Sequence, residues 1–168
     1  MRKIEGVDSN TFVPVNPKVP DNDYGIAWEK DKDSVFRKNI KLVDADTSTF
    51  TMDFSEDEFY NYWSKDKNHV YYGNTIVNGL DSSSFVIITD GSQKDCGSFT
   101  YVKDKNSIYW KDKKIEGADV VTFEVLGMNY SHDKTHVYYG NTIQPDRDTK
   151  TFKPECDIGL KNYSNTNS

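Results

Sequence analysis

The octapeptide His-Val-Tyr-Tyr-Gly-Asn-Thr-Ile occurs twice in the chain, at 69–76 and at 136–143. A chain that writes the same eight residues twice is built from repeats, and internal periodicity constrains the fold more than any other feature. The Asp of each recurrent Asp-Lys turn sets the register: Asp31, Asp66, Asp104 and Asp133. Four residues after each anchor stands a branched apolar residue (Val35, Val70, Ile108, Val137), followed by an aromatic (Phe36, Tyr71, Tyr109, Tyr138). Fifteen residues after each anchor is a second Asp (Asp46, Asp81, Asp119, Asp148). Nineteen after it is a Phe (Phe50, Phe85, Phe123, Phe152), always preceded by Ser or Thr. A partial fifth copy at 3–12 carries Asp8 and Phe12 in the same register.

Each unit predicts short strands. In Phe-Thr-Tyr-Val-Lys-Asp-Lys-Asn-Ser-Ile-Tyr-Trp (99–110), β-forming residues flank an Asp-Lys-Asn turn. Asp suits the start of such a turn, and Asn tolerates the left-handed backbone that closes it. Gly73-Asn74 is a two-residue hairpin signal, so the repeated octapeptide reads as strand, tight turn, strand. The stretch from the second Asp to the Phe reads as a turn, with Phe50, Phe85, Phe123 and Phe152 as structural core plugs. The segment 55–63 predicts one short helix, because Ser55 and Glu58 form a capping-box pair.

A unit so poor in apolar residues must stack on its neighbours. The expected fold is all-β: tandem hairpin or meander units of 29–38 residues, stacked as a solenoid-like or partial propeller-like array. The expected domain spans 1–156, with a half-repeat at 3–12 and repeats at 28–52, 63–87, 101–126 and 130–154. Residues 157–168 read as a flexible tail. Mean hydropathy is −0.79, but 11 Tyr, 9 Phe and 3 Trp supply enough ring area for a thin core.

These stretches carry a family resemblance. Lys-Asp-Lys-Asn-His-Val-Tyr-Tyr (65–72) and Lys-Asp-Lys-Asn-Ser-Ile-Tyr-Trp (103–110), with Ala-Asp-Val-Val-Thr-Phe (118–123) and Glu-Val-Leu (124–126), resemble the bacterial DKNYY repeat family over about residues 3–154. The first copy departs from the pattern, with Phe36-Arg37 where two aromatics are usual, and the fourth has Thr135 in place of Asn. The resemblance implies a surface or lipid-anchored protein, or an immunity partner of a secreted bacterial toxin. It implies no catalytic residues.

Composition narrows the function classes further. The net charge is −6 and Lys alternates with Asp, so no basic field forms to displace counterions from nucleic acid. No apolar window is long enough to cross a membrane as a helix. The start of the chain has no apolar stretch like a signal peptide. The localisation expected is cytoplasmic as written, or periplasmic or surface-exposed if an upstream export segment has been removed. Cys96 and Cys156 are free thiols or one bridge.

The repeated Asp residues sit in turn positions, interleaved with Lys and without the Gly and Glu of a calcium loop. They are therefore expected to hold turns and not metal, and no cofactor is expected. His132 and His136 flank the fourth turn and could face each other across the hairpin, but a zinc site needs three or four ligands. No nucleophile elbow or phosphate-binding glycine loop is present, so the expected function is non-enzymatic. Tyrosines on the hairpins could stack on sugars or peptides, or pack between units. The stretch 52–60 differs from all of these because it lies in a spacer that the repeat does not require. There Asp53, Glu56, Asp57 and Glu58 adjoin Phe59 and Tyr60, with Trp63 just beyond. Carboxylates beside aromatics are suited to steering and anchoring a basic partner protein, such as a toxin domain. The expected role is an immunity-type neutraliser. The alternative is a cell-surface or lipid-anchored binding or structural module.

Overall fold

The computed structural model describes residues 6–15, 28–52, 62–88 and 101–155. They form an all-β array of four antiparallel sheets, each wound in sequence order. The first sheet is Val13–Pro14 (β1), Trp28–Lys30 (β2), Val35–Arg37 (β3) and Ile40–Lys41 (β4). The second is Trp63–Lys65 (β5), Val70–Tyr72 (β6) and Thr75–Ile76 (β7), where Thr51 bridges to Lys65 in place of a fourth strand. The third is Val86–Ile88 (β8), Tyr101–Lys103 (β9), Ile108–Trp110 (β10) and Lys113–Lys114 (β11). The fourth is Glu124–Gly127 (β12), Tyr130–His132 (β13), Val137–Tyr139 (β14) and Thr142–Ile143 (β15).

The sheets are offset from the sequence repeats. The residue after each plug Phe pairs with the residue before the next anchor: Val13 with Lys30, Thr51 with Lys65, Val86 with Lys103, Glu124 with His132. Each unit therefore donates its last strand to the sheet of the next, and neighbouring units are joined by main-chain hydrogen bonds. The last strand of each sheet is only two residues long and in two sheets carries Lys41 or Lys113 and Lys114, which blunts an exposed edge.

The core lies between units. Trp28, Val35, Leu42 and Phe50 of the first pack with Tyr71 of the second. Trp63, Val70, Val77 and Leu80 pack with Val102 and Tyr109 of the third. Tyr101, Ile108, Ile115 and Phe123 pack with Tyr138 of the fourth. Successive residues such as Val70 and Tyr71 are both fully buried, because both faces of an inner sheet are covered. Phe50 and Phe123 are buried, while Phe85 and Phe152 are only half-buried.

The end of the expected helix 55–63 at Trp63 and the facing histidines are corrected here. Among the described residues there is no helix, and Trp63, the end of the expected helix 55–63, opens strand β5; residues 55–61 lie outside the described residues. Strand pairing with Tyr72 claims Trp63 for the second sheet. The histidines do not face each other either. His132 pairs with Val137, and Asp133 donates its amide to the His136 carbonyl, so the two imidazoles project from opposite faces. The tail 157–168 lies outside the described residues.

The repeated octapeptide has a structural reason. Its glycines, Gly73 and Gly140, start hairpin turns with φ of +61° and +58°. Gly140 also lies flat against the Trp110 ring of the preceding unit, where an added Cβ would come within 3.2 Å of the indole. Gly140→Ala is expected to cost about 1–2 kcal/mol from the left-handed backbone alone, with the ring contact adding to it. Urea unfolding read by tryptophan fluorescence checks this; an unchanged midpoint would remove the explanation.

Candidate functional site

The antiparallel meander gives every sheet two ends. One end carries the Asp-Lys turns, and there the carboxylates are fully occupied. In the second unit Asp66 Oδ1 accepts the amides of Asn68 and His69 at 2.7 Å, doing in the turn what a backbone carbonyl would do. Its other oxygen accepts the Asp46 amide of the preceding unit at 2.8 Å and the Tyr71 hydroxyl at 2.9 Å. The adjoining Lys67 donates its amide to Thr49 Oγ1 and its ammonium to Asp46, at 3.1 and 2.6 Å.

This clasp recurs at every junction. The amides of Asp8, Asp81 and Asp119 reach Asp31, Asp104 and Asp133 at 2.9 Å each. Lys32, Lys105 and Lys134 make the matching ion pairs with Asp8, Asp81 and Asp119 at 3.5, 2.8 and 2.5 Å. Burial pushes the Asp66 and Asp133 carboxyls up, but the amide and hydroxyl donors outweigh it, and both end below the usual carboxylate range. Burial and the bond to Asp66 push the Tyr71 phenol up, keeping it a donor. The anchor Asp residues are thus consumed as structural acceptors, and among the described residues there is no cluster of three or more His, Cys, Asp or Glu that could hold a metal. His132 lies 3.4 Å from Glu124, and His136 Nδ1 lies 2.9 Å from Thr135 Oγ1. Cys96 and Cys156 lie outside the described residues.

The opposite end carries the Gly-Asn type turns together with the connection between the first and second strands of each sheet. In the fourth sheet that connection is the tight turn Met128-Asn129, both at positive φ. In the other three it is a long insertion, containing 16–27, 53–61 and 89–100. Insertions thus enter the same topological place three times. Asp53, Glu56, Asp57, Glu58, Phe59 and Tyr60 belong to the second of them and lie outside the described residues. Trp63, grouped with them in the sequence, is 1% exposed and belongs to the core. Tyr62, where this insertion rejoins the sheet, is 46% exposed. Its ring stacks on Tyr72 with centroids 5.7 Å apart, and the Arg37 guanidinium lies 4.7 Å from it. Burial lowers the Arg37 pKa, and Trp28 lies on it at 5.3 Å. Arg37 therefore takes a place that its sequence equivalents Tyr72, Trp110 and Tyr139 give to a ring.

The chain matches the DKNYY family over residues 28–165. It belongs to the DKNYY family. No curated protein and no solved structure matches it. In this DKNYY chain the namesake residues divide by role. The Asp accepts from the preceding unit, the Lys closes the ion pair, the Asn, where it is present, supplies a turn amide, and the first aromatic seals the junction. Sequence reading missed two core positions: three before the anchor (Trp28, Trp63 and Tyr101, with Tyr130 half-buried at the fourth) and eleven after it (Leu42, Val77, Ile115). Both were present as recurrent apolar residues at fixed offsets.

Proposed function

We propose that the protein is a non-catalytic protein-binding scaffold of the immunity type, which neutralises a basic partner such as a toxin domain by covering its active cleft. In this reading the four sheets stack as a solenoid-like or partial propeller-like frame, locked along the clasp end, and the insertions at the other end carry recognition. The observation that carries it is the shared topological position of the insertions, one of which holds Asp53, Glu56, Asp57 and Glu58 beside Phe59 and Tyr60. Loops on a rigid frame are where binding residues concentrate. Carboxylates would steer a cationic partner and the rings would anchor it.

The test is capture from the lysate of the source bacterium at low and high salt, followed by titration of the captured protein. The expected result is a 1:1 complex with a basic protein whose association slows as salt rises. Replacing Glu56, Asp57 and Glu58 together by Lys is expected to weaken it at least tenfold. Equal affinity of that variant would remove the site.

A further inference from the structure

We propose that Arg37 is an oxyanion receptor at the insertion end, which takes one carboxylate on the Nε–Nη2 edge of its guanidinium. The side chain is 5% exposed and stands in β3, at the second aromatic position of its unit. The other units put Tyr72, Trp110 or Tyr139 there, and a ring requires only contact from its surroundings. A guanidinium requires acceptors. It keeps its charge at any ordinary pH, and a charge taken out of water without a partner is costly. Burial works against that charge here. Both Nε and Nη2 are buried, and no group among the described residues accepts from either.

The geometry of those two donors is specific. Nε–H and one Nη2–H point the same way in the guanidinium plane and form the fork that holds both oxygens of a carboxylate by parallel hydrogen bonds. The rest of the group is engaged. The Trp28 ring centroid lies 5.3 Å from Cζ and the Tyr62 centroid 4.7 Å, so two rings hold the cation. Nη1 lies against Gly73 of the second unit, where an added Cβ would come within 3.4 Å of it. The neighbouring Asn74 does not supply the acceptor: its Nδ2 donates to the Arg37 carbonyl at 3.4 Å, and its buried Oδ1 is itself unpartnered. Rings and main chain thus orient the fork in advance, and an apolar setting strengthens the hydrogen bonds made there.

Charge selects the ligand class. One guanidinium balances one negative charge, which a carboxylate carries, whereas a phosphate monoester carries about 1.5 to 2 at neutral pH. The way in is past Tyr62. Trp28 is 2% exposed and Gly73 offers only main chain, while Tyr62 is 46% exposed and rests on Tyr72. Turning the Tyr62 ring aside uncovers the guanidinium and leaves the core undisturbed. An aspartate or glutamate side chain on another protein and a free organic acid present the same two oxygens, and the probes below separate them.

The full chain labelled with 15N is titrated with sodium acetate, with the blocked tripeptide acetyl-Gly-Glu-Gly-amide and with inorganic phosphate, each against sodium chloride at equal ionic strength. The Arg37 Nε–Hε resonance is followed. Acetate is expected to move it downfield to saturation and to raise the thermal unfolding midpoint, as a ligand of the folded state does; chloride is expected to do neither. A tripeptide response at least as strong as that of acetate assigns the site to a carboxylate on a protein, and a response to acetate alone assigns it to a free acid. Arg37→Tyr restores the ring of the other units, so it is expected to fold and to lose the midpoint response. Arg37→Lys keeps the charge without the fork and is expected to bind acetate at least tenfold more weakly. An Nε–Hε resonance that no carboxylate moves, including one protected from the outset because the chain fills the fork itself, overturns the proposal. So does phosphate binding more tightly than acetate, or a midpoint response retained in Arg37→Tyr.

Discussion

Phe123→Ala is expected to destabilise the protein by about 3–5 kcal/mol, the cost of truncating a buried Phe in a packed core. The ring is 7% exposed and touches Tyr101 of its own unit and Tyr138 of the next, at 5.5 and 6.0 Å. Its removal therefore opens a cavity in a junction, and the third and fourth units lose contact together. Phe152→Ala is the matched control. That ring is half-buried and has no following unit among the described residues, so less area is lost and the cost falls to about 1–2 kcal/mol by the area rule. Guanidinium unfolding of both variants measures the difference. Equal losses would mean that the plugs act within units and not between them.

Asp66→Ala is expected to cost on the order of 3–5 kcal/mol, for a different reason. The side chain is 2% exposed and satisfies the amides of Asp46, Asn68 and His69 and the hydroxyl of Tyr71. Removing the acceptor strands several donors, each worth about 1–3 kcal/mol when buried without a partner. The pair of Lys67 with half-buried Asp46 contributes far less, because the Lys67 side chain is largely solvated and the pair is screened. Lys67→Ala is therefore expected to stay within about 1 kcal/mol of the parent. Comparing the two variants separates the buried half of the clasp from its exposed half.

The same carboxylates set the acid limit of the fold. Asp31, Asp66 and Asp133 are held below the usual aspartate range in the folded state. A group depressed on folding contributes its stability fully above the unfolded pKa and loses it as pH falls through the folded one. Thermal unfolding midpoints should change little between about pH 7 and 5 and fall steeply below about pH 4. In Asp66→Ala the acid-induced fall should be shallower, since one of the responsible groups is gone. A midpoint that holds constant down to pH 3 would show that the clasps are not what acid breaks.

Much of this was legible because the chain states it several times. A residue type that recurs at a fixed offset in four units marks a physical requirement, and turn chemistry at Asp66 or Gly73 is local enough to be read from neighbouring residues alone. The sequence by itself determined the unit, its register, its all-β character and the turns that bound its strands. It did not reveal that the sheets straddle the units, because strand pairing joins residues such as Val86 and Lys103 across an insertion whose length carries no signal. Nor did it separate Trp63 from its acidic neighbours: adjacency suggested one patch, and pairing with Tyr72 drew the ring into the core. The anchor Asp looked like a turn residue and no more. Only the tertiary structure decided that its second oxygen holds the preceding unit, because that bond exists only once neighbouring units are stacked.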